Sequence, residues 1–242
     1  MRKIKITIAQ IYEQHNLLGI KEIIQKRKDS DLIVFPESTL SIKSLASIKT
    51  LQKIVTEYST SIVIGVIFQN GKRLYDYSYY ISPEKIERYQ KIHVHWVENH
   101  VPGKEFRVVK TPFGKIGLLI CFDAAFQESG RVLAMMGAEM IVIIHAIPAH
   151  FPYRVNLLRS QSIALNNQLY VIDSCKPGRN FTGHGAIFDP YGKKLMEQGK
   201  YQSIMTRTID MDVVAIWRKK EKIFPYRKPR LYKAISSNGC PV

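Results

Sequence analysis

The chain has 242 residues, 45% of them hydrophobic, and a formal net charge of +16. That length and composition suit one large α/β domain with a sizeable core and argue against a disordered chain. Its three cysteines, Cys121, Cys175 and Cys240, lack CxxC spacing, which argues against a disulfide framework and a cysteine zinc site.

The opening MRKIKITIAQIYEQ is basic and then apolar, but Gln10 and Glu13 break it before a signal-peptide core forms. Alternating Ile4, Ile6 and Ile8 instead predict a first strand over Lys3–Gln10. Further strands are expected at Asp31–Phe35, Ser61–Phe68, Tyr75–Ser82, Lys85–Arg88, Arg107–Lys110 and Ile116–Phe122. Later ones are expected at Met140–Ile144, Tyr170–Ser174, Gly185–Phe188, Lys194–Glu197 and Ser203–Thr208. Helices are expected at Asn16–Lys28, Lys43–Tyr58, Phe126–Met136, Pro152–Asn167 and Met211–Lys220. Gln69-Asn70-Gly71-Lys72 predicts a hairpin with a primed turn, and Asp189-Pro190-Tyr191-Gly192 a second turn between strands. No linker or low-complexity tract divides the chain, so residues 1–242 are read as one domain. No apolar run approaches membrane-spanning length, and a cytoplasmic protein without a membrane partner is expected.

Positive charge is densest from Arg218 to Lys233, where eight Lys or Arg face one Glu and Phe224, Tyr226 and Tyr232 are interleaved. The pattern superficially resembles a nucleic-acid strip. Pro225 and Pro229 instead predict an extended basic strap over 218–242, lying on a solvated or oligomer-contacting surface, and nucleic acid is not the expected partner.

Three strand-like runs end by delivering a chemically useful side chain: Glu37 after the largely apolar DLIVFP, Lys91 after the mixed IERYQ, and Cys121 after the apolar KIGLLI. In α/β folds ligands bind outside the carboxyl ends of the strands, so a carboxylate, an ammonium and a thiol there can share one pocket. Singly, each has a bland reading. Cys121 reads as a buried structural thiol, Glu37 as a loop residue, Lys91 as an edge-strand lysine and Glu98 as surface polarity. His93 and His95 point to one face of a strand, but no partner set at familiar zinc spacing accompanies them. His145, ending MIVII, is the best partner for a Cys–His pair, yet is preferred as a pocket-lining residue that selects substrate. Trp96 is a second pocket-lining candidate, or a core or interface aromatic.

The segments FPE (Phe35–Glu37), RYQKIHV (Arg88–Val94) and GLLICFD (Gly117–Asp123), in that order, resemble the nitrilase or carbon–nitrogen hydrolase superfamily. ENHVPG (Glu98–Gly103), FQESGRVLAMMGAEMIVI (Phe126–Ile143), LLRSQSIALNNQLYVI (Leu157–Ile172), GHGAIFDPYGKKL (Gly183–Leu195) and FPYRKPRLY (Phe224–Tyr232) extend the resemblance across nearly the whole chain. It implies a four-layer α-β-β-α sandwich, homo-oligomers in which sandwiches continue across the interface, and hydrolysis of small amides. It also implies Cys121 as nucleophile, Glu37 as general base, Lys91 as stabiliser of the tetrahedral intermediate and Glu98 as the second glutamate. With the N–H of Phe122, Lys91 would form the oxyanion hole. Neither metal nor organic cofactor is needed for such chemistry.

The chain departs from its relatives at Ala124-Ala125, where N-carbamoyl amino-acid hydrolases carry arginine, and at Ser174-Cys175, where amidases commonly carry an asparagine-bearing segment. Because amidases dominate the superfamily, a linear amide is the expected substrate, and the basic charge balance weakly favours a carboxylate-bearing one such as an ω-amide. A small nitrile is the alternative within enzymes, and a catalytically silent basic scaffold binding nucleic acid or protein is the alternative outside them.

Overall fold

The computed structural model describes residues 2–13 and 16–236; Cys240 and the last six residues of the expected strap lie outside them. The first half of the chain builds one sheet. Its elements are β1 (Lys3–Gln10), α1 (Leu17–Lys26), β2 (Leu32–Val34), β3 (Leu40–Ile42), α2 (Ala46–Glu57), β4 (Ser61–Asn70), β5 (Arg73–Ile81) and β6 (Ile86–Gln90). The second half builds another, from β7 (Arg107–Thr111), β8 (Gly114–Ile120), α3 (Gln127–Met135), β9 (Met140–His145), α4 (Tyr153–Asn167), β10 (Tyr170–Cys175), β11 (Ala186–Phe188) and β12 (Lys194–Glu197). The chain then returns through β13 (Ser203–Asp210) to the first sheet and closes with α5 (Asp212–Lys220).

The strand orders are β13-β1-β2-β4-β5-β6, with β3 beside β4, and β12-β11-β10-β9-β8-β7. Each sheet has a parallel centre, β1-β2-β4 with β3 beside β4 in one and β8-β9-β10 in the other, with antiparallel strands outside it. The period-2 pattern of the sequence sorts the layers. Ile4, Ile6, Ile8, Leu32, Val34 and Val63 face the second sheet. Ile33, Phe35, Ile62 and Ile64 face the other way, onto Ile20 and Ile24 of α1 and Leu51 and Val55 of α2. On the far side Leu133 of α3 and Leu157, Ile163 and Ala164 of α4 cover the second sheet. Each buried Ile or Leu contributes roughly 1.5–3 kcal/mol relative to leaving it exposed. The result is the α-β-β-α sandwich.

The Gly71 turn forms as expected, with φ +60° between β4 and β5. Other expectations need correction. Leu40–Ile42 is a strand, paired parallel to β4, that the sequence reading passed over because three residues carry too little periodicity. The second helix begins at Ala46 rather than Lys43, and β8 stops at Ile120 rather than Phe122. After α5 the basic segment is mostly exposed, but Phe224 packs on the core between the guanidinium groups of Arg131 and Arg218. Among the described residues no helix is long and apolar enough to cross a membrane.

Candidate active site

Three strand ends converge. Past the end of β2, Phe35 keeps sheet pairing through its N–H to the Val63 carbonyl, and Pro36 then turns the chain so that Glu37 lies buried. The turn sits directly on Gly65 of β4, where any Cβ would lie 2.5 Å from the Glu37 Cα and 2.5 Å from the Pro36 oxygen. Just past β6 stands Lys91, with no exposed surface. Its N–H donates to the Asp76 carbonyl of β5, and its own carbonyl accepts from Gly103 at 2.7 Å. Gly103 is required there, since a Cβ would meet the Gln90 oxygen at 2.3 Å.

The Lys91 ammonium donates to Glu37 Oε1 at 2.9 Å and to Glu98 Oε1 at 2.9 Å, and lies 3.5 Å from Asp76 Oδ2. The other oxygen of Glu98, Oε2, accepts from the His95 N–H. Burial pushes the Glu37 carboxyl up, but the charge of Lys91 and its hydrogen bond to Oε1 outweigh it and bring it down to about 2. Burial works against the Lys91 ammonium, and the surrounding carboxylates more than restore it, so its pKa is raised. A base working near neutrality calls for a raised or balanced carboxyl, whereas the neighbours here outweigh desolvation and the resting value falls.

Cys121 opens a 3-10 turn over Cys121–Ala125, with φ +46°. A non-glycine residue held there costs about 1–3 kcal/mol, and such strain persists only where its surroundings impose it. Those surroundings are identifiable. Asp123, fully buried, accepts from the Tyr89 hydroxyl and the Ile120 N–H through Oδ2, and from the His93 N–H through Oδ1, with His93 Nδ1 2.8 Å away. It ties the turn after β8 to the chain around Lys91. Burial pushes the Cys121 thiol well above its ordinary range, the Glu37 charge adds to that, and Lys91 opposes it. The resting site therefore pairs a neutral thiol with an ionised glutamate.

The remaining sequence candidates divide. His145 ends β9 with no exposed surface, its Nε2 3.4 Å from Asp173 Oδ1. Trp96 is 79% exposed, stacked on His95 and edge-on to Phe122, which in turn meets Phe126. Two residues were missed, Asp123 and Asp76. Asp123 has a signal, an acid two residues beyond a strand-ending thiol. Asp76 has none, because YDYSYY reads as an ordinary alternating strand.

A thiol, an ammonium and carboxylates gathered at strand ends of an α-β-β-α sandwich define the nitrilase superfamily architecture. The carbon–nitrogen hydrolase family model matches residues 5–219, and the chain belongs to that family. It is a hydrolase acting on carbon–nitrogen bonds. Among curated relatives, a probable nitrilase of Schizosaccharomyces pombe is 28% identical over 93% of each chain. An (R)-stereoselective amidase of a Pseudomonas species is 28% identical, covering 84% of this chain and 80% of the relative. The human omega-amidase NIT2 is 27% identical over 82% and 78%. The fold also matches the crystal structure of Saccharomyces cerevisiae Nit3, with a TM-score of 0.79 at 22% identity over 94% and 96% of the two chains. A carbon–nitrogen hydrolase of Helicobacter pylori matches with a TM-score of 0.86 at 16% identity over 98% and 100%.

Proposed function

We propose that the chain hydrolyses a linear amide to a carboxylic acid and ammonia or an amine through a thioester on Cys121. The observation carrying this reading is the buried ion cluster, Lys91 bonded to Glu37 and Glu98 at 2.9 Å each, with the Cys121 thiol feeling both Glu37 and Lys91. Glu37 takes the thiol proton as sulfur attacks the carbonyl carbon, and hands it to the departing nitrogen as the C–N bond breaks. Water, deprotonated by Glu37, then attacks the thioester and the thiol is regenerated. A glutamate at about 2 is a weak base in the resting site. As the oxyanion draws on the Lys91 charge and on the Phe122 N–H, the hold of Lys91 on Glu37 relaxes and its proton affinity rises. Glu98 holds the ammonium from the second side.

The substrate reading is an ω-amide with a carboxylate at its far end. The omega-amidase relatives and the net charge of +16 support it. Intact-mass spectrometry with short neutral amides and ω-amides of dicarboxylic acids tests both parts. An acyl adduct on wild type that is absent from Cys121→Ala, with faster turnover of the ω-amides, is expected. Unreactive Cys121 in folded protein sinks the mechanism, and a preference for neutral or cationic amides removes the carboxylate. The probable nitrilase among the relatives supports nitrile turnover as a second reading; acid formed from a nitrile, without ammonia release from the matching amide, would favour it.

The same reading has the chain as a homo-oligomer. Met135 on α3 and Leu158 and Leu165 on α4 are exposed on the outer layer, which supports a second copy there. Cytoplasmic residence fits the free thiols of Cys121 and Cys175.

A further inference from the structure

Lys91 is surrounded by three carboxyl groups. Glu37, Asp76 and Glu98 lie within 2.9, 3.5 and 2.9 Å of its nitrogen. Were all three ionised, the cluster would hold three negative charges against one positive in a largely dry space. Asp76 and Lys91 have no exposed side-chain surface and Glu37 has 4%, whereas Glu98 keeps 25%. Carboxylates crowded into one buried site do not all ionise; one keeps its proton.

The hydrogen bonds indicate which one. Glu98 reaches solvent and uses both oxygens, toward Lys91 and the His95 N–H. Glu37 is bonded to Lys91 through Oε1, but its Oε2 is buried without a partner. Both oxygens of Asp76 are likewise buried and without a hydrogen bond. The Glu37 and Asp76 carboxyls both flank the Lys91 nitrogen, at 2.9 and 3.5 Å, and each keeps a buried oxygen with no partner, yet two anions have no donor between them. One proton supplies it. Asp76 has no formal ion pair as short as the other two, and it projects from the middle of β5, where its backbone carbonyl also holds the Lys91 N–H.

We propose that Asp76 is a positioning residue for the reaction: it remains protonated at neutral pH and donates its O–H to Glu37, holding that carboxylate against Lys91 in its basic form. The inference deepens the amidase reading and rests on it for the role of Glu37. The charged and titratable groups around the pair pull in both directions, and the balance favours that state. Glu37 and Glu98 disfavour ionisation of Asp76 and Lys91 favours it, while burial dominates. Cys121, His145, His100 and Tyr89 stand in the next ring, through Glu37, Lys91 and Glu98 or beside Asp76 itself. The O–H of Asp76 also makes the resting geometry asymmetric. Glu37 accepts from two sides and has little freedom to rotate away from the thiol.

The test compares wild type, Asp76→Asn and Asp76→Leu. Asparagine keeps the shape and a donor but carries no carboxylic proton. The infrared difference spectrum, wild type minus Asp76→Asn at neutral pH, is expected to contain the C=O band of a protonated carboxylic acid. Because the unfolded aspartate ionises near 3.9 while the folded one stays neutral, wild-type stability falls with rising pH above that value, through this group alone. The melting temperature of Asp76→Asn relative to wild type should therefore climb from about pH 4 to about pH 7. With a short aliphatic amide, Asp76→Asn should keep kcat/KM within about tenfold and leave the acid limb in place, whereas Asp76→Leu should lose on the order of a hundredfold and move that limb to higher pH. Absence of both the band and the pH-dependent stability gain overturns the proposal, whatever the activities. Equal losses in the two variants with unmoved acid limbs also overturn it. If wild type shows the band yet turns over no amide, the amidase reading falls and the protonated state of Asp76 is supported. Should Asp76→Leu fail to fold, the comparison of wild type with Asp76→Asn still decides.

Discussion

Lys91 is the residue on which the others depend. Replacing it with methionine removes the cation that bonds both Glu37 and Glu98 at 2.9 Å and strands buried carboxylates. Breaking a buried pair this way typically costs about 3–5 kcal/mol, and loss of an oxyanion donor costs on the order of a hundred- to a thousandfold in turnover. Urea unfolding and steady-state kinetics of Lys91→Met measure the two separately; stability close to wild type would mean the cluster is neutralised in another way. The sign of the pH effect follows from Glu37. Its folded pKa, about 2, lies below its ordinary value of 4.5, so it contributes stability that is complete above roughly pH 5 and fades as pH falls toward 2. In Lys91→Met burial instead raises Glu37, and the stability deficit against wild type should be largest near neutrality and shrink below about pH 4. Melting curves across that range check it. Glu37, Lys91 and Cys121 were recognisable in the sequence because each follows a strand-like run, within motifs that come in the family's order. Asp76 was hidden because its importance lies in what crosses over it from two other strands.

Between elements, two close approaches position the site. Gly65 lets the Pro36–Glu37 turn lie against β4, and Asp123 binds the Cys121 turn to Tyr89 and His93. Gly65→Ala inserts a Cβ 2.5 Å from backbone atoms, which rigid strands relieve only by moving the turn. A displacement of Glu37 by about 1 Å predicts roughly a hundredfold loss in kcat with the fold retained, read by kinetics alongside circular dichroism. Asp123→Ala removes the acceptor for three N–H or O–H donors and frees the strained φ of Cys121. Bonds to a charged acceptor are worth about 1.5–3 kcal/mol each, so the variant should be markedly less stable and its Cys121 alkylation by iodoacetamide should change rate. An unchanged rate in folded protein would mean the turn holds itself. The periodicity of the sequence gave the long strands and helices. It missed β3 and overran β8, because a three-residue strand is paired by tertiary contact and a turn of positive φ has no pattern of its own.

For the molecule as a whole, the exposed apolar face of α3 and α4 predicts association. Light scattering on the wild type should return a multiple of the 27.9 kDa chain mass, and Leu158→Glu, which charges the middle of that face, should shift it toward the monomer. A wild-type monomer at working concentration would remove the homo-oligomer reading. Phe224 gives the basic segment a different part to play. It is clamped between Arg131 and Arg218, so this stretch of the segment is anchored to the second sheet's outer layer rather than presented to a polyanion.

Apolar runs and apolar–polar alternation decided by themselves that all the strands but β3 exist and which side chains emerge at their ends. Those are consequences of local geometry, in which side chains repeat every second residue along a strand. The order of the motifs added the family. Only the tertiary structure decided that Lys91 is shared by Glu37, Asp76 and Glu98, and that Asp123 spans the two sheets' strand ends. Charge interactions at 3 Å depend on distance and burial, and the partners are tens of residues apart in the chain. No spacing in the sequence encodes that separation.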